Sequence, residues 1–139
     1  SNMTHGYRSS MYGLNSIGGM EVLVKVLKTF PEHHPLLQLR ACNAVCNLTG
    51  CPIGRKRADE VGAIEVLLTT IKNYPENKDI FLYGCRALTN MCASSFARSK
   101  ELIGLGGITT WPDDPEARAV AKGLLDVMAQ GVHQLLTMH

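Results

Sequence analysis

GGMEVLVKVLKTFPE, Gly18 to Glu32, lies over GAIEVLLTTIKNYPE, Gly62 to Glu76, and this pairing decides the fold. Glu21 falls on Glu65, Val22 on Val66, Leu23 on Leu67, Leu27 on Ile71 and Phe30 on Tyr74, with Pro31-Glu32 on Pro75-Glu76. The offset is 44 residues, from Gly18 to Gly62, and GGITT at Gly106 starts again after another 44. After a one-residue slip, Leu39, Cys42, Ala44, Val45, Asn47 and Leu48 match Leu82, Cys85, Ala87, Leu88, Asn90 and Met91. So many matches in order identify an internal repeat.

Each unit reads as three helices. A short one carries apolar residues at Leu14 and Ile17, Ala58 and Val61, or Leu102 and Leu105, and Gly18, Gly62 or Gly106 ends it in left-handed geometry. The second helix is predicted from about Met20 to Phe30 and from Ile64 to Tyr74, stopped by Pro31 and Pro75. The third is predicted over Pro35–Leu48 and Lys78–Cys92. No segment alternates with period two, so the expected class is all-α. A unit this short cannot enclose its own apolar face and has to stack on its neighbours as an α-α superhelix. Residues 1–10 read as tag and disordered N-terminus, the leading Ser1-Asn2 resembling a cleavage remnant before Met3. Residues 11–139 read as a single domain with units at about 11–52, 53–95 and 96–139, the last atypical.

Composition narrows the function classes. The 139 residues are 45% hydrophobic and 19% charged, ordinary for a globular chain with a real core. A formal charge of +2 gives no reason to expect nucleic acid or an anionic membrane, and no apolar run approaches the roughly 20 residues that span a bilayer. Cys42, Cys46, Cys51, Cys85 and Cys92 are odd in number, and four of them sit in helical apolar patterns as compact hydrophobes. That usage points to a reducing compartment, cytoplasm or nucleus.

The third helices carry the one polar feature that apolar stacking does not explain. Arg40, Asn43 and Asn47 share a side of the first, and Asp79, Tyr83, Arg86 and Asn90 share a side of the second. Leu37, Ala41, Ala44, Val45 and Leu48 lie opposite, as do Ile80, Ala87, Leu88 and Met91. Asparagine competes with the helix for backbone hydrogen bonds and needs a reason to stand there. Its carboxamide offers a donor and an acceptor in one plane, which suits the N–H and C=O of an extended peptide of any sequence. Arg40, Arg86 and Tyr83 would add selectivity through carboxylate pairing or stacking. The alternative is that each asparagine bonds a carbonyl of its own preceding turn or of the adjacent loop.

The three-helix unit of about 42 to 44 residues, its glycine, and the phrases ACNAVCNL and CRALTNM resemble an armadillo repeat over about Leu14 to Gly107. HEAT repeats are the nearest alternative, but their two-helix unit fits the extra short helix less well. The resemblance implies a right-handed armadillo-type solenoid whose third helices line a concave groove. It also implies that an asparagine at the position of Asn47 and Asn90 clamps the backbone of an extended protein partner. Peptide-binding members such as importin-α often carry Trp four residues earlier, where this chain has Asn43 and Arg86. That difference speaks against recognition of a nuclear localisation signal.

The third unit breaks the pattern. In place of a second helix comes WPDDPEARAVAKGLLDVMAQGVHQLL, in which Asp114, Pro115 and Glu116 form an N-cap, a first-position proline and a first-turn acid. Ala117, Val120, Ala121, Leu124, Leu125, Met128, Val132 and Leu135 then follow helical spacing. This reads as a C-terminal capping helix, with a helix crossing to a second chain as the alternative. Trp111 is expected as a packing plug before it. GRKR, Gly54 to Arg57, reads as the solvated start of a short helix. His33 and His34 with Cys51 lack tetrahedral ligand spacing, so no metal or other cofactor is expected. Cys51 near Arg55 lacks a recognisable base, so the chain is not expected to be an enzyme. The expected function is a non-catalytic interaction module for a protein or peptide partner, monomeric or weakly dimeric. The alternative is an oligomerisation scaffold, or a fragment of a longer array without its own ligand.

Overall fold

The computed structural model describes residues 18–30, 32 and 34–137. The segment expected as a tag, the short helix expected at Leu14 and Ile17, and the helix stop expected at Pro31 lie outside the described residues, as does His33. Among the described residues there are seven helices and no strand. They are α1 (Gly19–Thr29), α2 (Pro35–Leu48), α3 (Pro52–Glu60), α4 (Ala63–Asn73), α5 (Lys78–Cys92), α6 (Phe96–Gly104) and α7 (Pro115–Thr137).

The boundaries follow local chemistry. Gly18 and Gly62 enter α1 and α4 at φ 83° and 71°, a region that L side chains rarely adopt. Proline opens α2, α3 and α7, where its missing N–H costs no hydrogen bond. Asn77 caps α5 by accepting from Ile80 N at 3.0 Å, and Ser95 caps α6 by accepting from Arg98 N at 3.2 Å. Asp114 Oδ2 accepts from Glu116 N (2.9 Å) and Ala117 N (3.0 Å), so the start of α7 is built as its sequence indicates.

The repeat is visible as packing. Each described helix of the first unit meets its counterpart in the second, α1 against α4 and α2 against α5. α5 lies at the centre, packed on α2, α4, α6 and α7, and buries Ile80, Phe81, Leu82, Cys85, Leu88 and Met91. Position in this order decides burial more than residue type does. α1 buries only Met20, Val24 and Leu27, whereas the matching α4 buries Ala63, Ile64, Val66, Leu67, Leu68, Thr70 and Ile71. Val22 is 62% exposed and its counterpart Val66 only 9%. Leu37, expected on the apolar face, is also largely exposed, because that side of α2 has no helix on it among the described residues.

The C-terminal segment departs from the repeat. After α6, Gly106 and Gly107 take φ 97° and 58°, and the chain runs without helix to Asp114. α7 then packs on α5 and α6 through buried Ala117, Ala121 and Leu124. Trp111 is 39% exposed and is no plug; buried Ile108 and Pro112 fill that role. The second half of α7 keeps contact with α6 at buried Gly131, beside Ser99 and Ile103, and exposes Val132 and Leu136. Among the described residues no helix is long and apolar enough to cross a membrane.

Candidate functional site

α2 and α5, the helices that carry the two polar stripes, pack directly on each other. Asn90, half-buried on α5, reaches back to α2: its Nδ2 donates to the Cys46 carbonyl at 3.1 Å and to Thr49 Oγ1 at 3.3 Å. Cys46 belongs to the last turn of α2, whose carbonyls have no helical N–H ahead of them. Thr49, itself fully buried, lies with its hydroxyl 2.9 Å from the Val45 carbonyl and 3.0 Å from that of Cys46. Asn90 therefore satisfies the end of the neighbouring third helix. Its amide N–H groups are engaged within the fold, and its Oδ1 takes part in neither bond.

Asn47, its counterpart in the first unit, is exposed and makes no side-chain hydrogen bond among the described residues. The two asparagines look alike in sequence and differ in place: Asn90 has a third helix before it, Asn47 has none among the described residues. Asn43 is half-buried and Arg40 exposed on the same side of α2, neither with a side-chain partner among the described residues. Tyr83 is half-buried against the core. Arg86 is exposed and pairs with Glu116 of α7 at 3.2 Å. Arg86 also lies close enough to Cys46 to oppose, in part, the upward push that burial gives its thiol. The structure thus joins Asn90 to α2 and Arg86 to α7, and leaves Arg40, Asn43 and Asn47 without side-chain partners among the described residues.

Two polar ties close the ends of α2 and α5, and sequence reading did not single them out. Arg98 Nε donates to Asp59 Oδ1 (2.9 Å) and Oδ2 (2.8 Å), and Arg98 Nη1 to the Met91 carbonyl (3.2 Å), linking α6, α3 and the end of α5. Arg55 Nη1 donates to the Thr49 carbonyl at 3.1 Å, closing the end of α2 in a comparable way. With Arg57 near Glu21 (3.9 Å) and Glu60 (3.8 Å), the GRKR stretch is more engaged than a solvated start: Gly54 is buried and only Lys56 faces water without an ion pair among the described residues. An arginine one turn into the helix that follows a third helix was the available signal.

Chemistry at cysteine is disfavoured by the surroundings. Burial pushes the Cys42 and Cys85 thiols up to about 12 and that of Cys92 to about 11, far from the thiolate a nucleophile needs. Cys51 is half-buried, its Sγ 3.5 Å from the Leu48 carbonyl. Among the described residues no three His, Cys, Asp or Glu side chains are grouped to hold a metal. A cavity of about 670 Å³ opens between the end of α5, the start of α6 and α7, lined by Phe96, Ser99, Gln130 and His133 among others and by no carboxylate.

No family of known proteins, no curated protein and no solved structure matches the chain.

Proposed function

We propose that this chain is an armadillo-type interaction module, without catalytic activity, that holds an extended peptide or partner helix of another protein along the α2–α5 seam. The observation that carries the reading is the direct packing of the repeat-related third helices, tied by Asn90 to the Cys46 carbonyl; on such a pair the stripes of Arg40, Asn43, Asn47, Tyr83 and Arg86 would line one surface. Repetition of the three-helix unit supports the right-handed solenoid, and α7 acts as its C-terminal cap. Asn43 and Asn47 offer paired donors and acceptors to a peptide backbone. Asn90 serves chiefly to join the units and contributes only its acceptor. A reducing cytoplasmic or nuclear setting suits the five free cysteines.

The test is selection of peptides from a random display library, followed by affinity measurement on variants. Asn43→Ala with Asn47→Ala should weaken the selected peptides at least tenfold, while Lys25→Ala with Lys72→Ala, on exposed positions of α1 and α4, should leave them unchanged. Equal loss in both double variants, or none in either, refutes the seam as the site.

A second reading, an oligomerisation scaffold, is favoured by the exposed apolar residues at the two ends, Val22 and Leu36 on α1 and α2, Val132 and Leu136 on α7. Sedimentation equilibrium decides it: a monomer at every concentration excludes the scaffold.

A further inference from the structure

One end of the seam already holds a carboxylate. Glu116, in the first turn of α7, lies 3.2 Å from Arg86 Nη2 and 3.3 Å from the Lys78 ammonium, and Asp114 lies 3.3 Å from the same ammonium. Lys78 and Arg86 stand two turns apart on α5, and Lys78 is held above its usual range by its bonds to Glu116 and Asp114. At the α2 end, Arg40 is exposed and has no acidic partner among the described residues. Of these three cations, Lys78 and Arg86 are thus answered by carboxylates of the α7 segment, and Arg40 is not. The segment that meets its cations, Trp111-Pro-Asp-Asp-Pro-Glu116, is short, acidic and non-helical until Pro115.

Resting on the reading of this seam as a binding surface, we propose that its ligand is an acidic peptide and that Glu116 is the internal stand-in an incoming carboxylate replaces at Arg86 and Lys78. The exchange is easy. The side chains of Arg86 and Glu116 are 43% and 51% exposed, so the native pairs are weak, and one carboxylate succeeds another without leaving a cation unpaired. The arginine fork suits a carboxylate in either case. The neighbouring amides of Asn43 and Asn47 match a peptide backbone, which a phosphodiester chain does not offer.

The probes are fluorescent hexaglutamate, hexalysine and octathymidylate, titrated by anisotropy at low ionic strength. Hexaglutamate should bind Glu116→Ala about two- to fivefold more tightly than the parent, the range expected on freeing exposed cations. Adding Arg86→Ala should abolish that gain, and hexalysine should bind neither variant. Hexaglutamate binding that is undetectable in both, or no tighter in Glu116→Ala, overturns the proposal. So does octathymidylate binding as tightly as hexaglutamate. The two levels of inference separate cleanly. A display-selected peptide that needs Asn43 and Asn47 but ignores Glu116→Ala keeps the seam and sinks the acidic ligand. A hexaglutamate gain that ignores Asn43→Ala with Asn47→Ala keeps the carboxylate site and sinks backbone recognition.

Discussion

Asn90→Ala and Asn47→Ala change the same residue type at matching repeat positions, and the structure makes their consequences differ. At Asn90 two donated bonds vanish, to the Cys46 carbonyl and to Thr49 Oγ1, both at the end of α2. An acceptor left without its partner in a half-buried place costs about 1–3 kcal/mol. The loss falls in the lower part of that range, because the Thr49 hydroxyl stands 3.0 Å from the Cys46 carbonyl and can turn wholly toward it. Alanine returns about 0.5 kcal/mol through its better helix propensity. The net destabilisation is about 1–1.5 kcal/mol. At Asn47 no bond is lost, so only the propensity gain remains, and the variant is more stable than the parent by about 0.5 kcal/mol. The two should differ by about 2 kcal/mol, or about 6 °C in melting temperature for a chain of this size. Urea unfolding with a common m-value measures the difference, and Asn90→Asp, which has no donor to offer the carbonyl, should fall below Asn90→Ala. If Asn90→Ala and Asn47→Ala lie within about 0.5 kcal/mol of each other, Asn90 does not join the units and the argument fails.

Three further outcomes are expected. Arg98→Ala should cost about 2–3 kcal/mol, since its side chain is only 17% exposed and holds both Asp59 and the Met91 carbonyl; a double-mutant cycle with Asp59→Ala should return a coupling of about 1 kcal/mol or more, whereas zero coupling removes the tie. Gly123→Ala, in the interior of α7 with nothing within 4 Å of the new Cβ, should stabilise by about 0.5–1 kcal/mol; Gly107→Ala, at φ +58° with Met128 Cε 2.2 Å from the new Cβ, should destabilise by more than about 1 kcal/mol, and the reverse order in thermal melts would contradict the packing of α7. Because burial raises the thiols of Cys42, Cys85 and Cys92, their contribution is intact below pH 9 and is lost as pH climbs towards 12: only the unfolded chain releases those protons in that interval, so each thiol should lower stability by about 1.4 kcal/mol per pH unit above 9. Urea unfolding at pH 8 and pH 10.5 should show a smaller fall for Cys42→Ala than for the parent, and an identical fall would exclude that thiol.

The helices were legible because the repeat supplies each of them twice. Pro35–Leu48 and Lys78–Cys92 coincide with α2 and α5, Gly62 with the left-handed entry to α4, and Asp114 with the cap of α7. What sequence could not give was context along the stack. Val22 and Val66, or Leu37 and Ile80, are equivalent by register, yet one of each pair is largely exposed and the other buried. The same asymmetry separates Asn47 from Asn90. Trp111, the large residue expected to plug the stack, is 39% exposed, while the adjacent Pro112 is buried. The pairs Arg98–Asp59 and Arg86–Glu116 join residues 39 and 30 positions apart, where no local pattern announces them.

Both side-chain hydrogen bonds from α5 to the preceding unit, among the described residues, sit at the same end of the helix, where Asn90 meets Cys46 and Thr49. Such a joint behaves like a bound book, its pages fixed at the spine and free to fan at the fore-edge. Bending between the units, if hinged on that tie, would pivot about the C-terminal ends of α2 and α5, so that a ligand lying between them would meet its firmest contact beside Asn90.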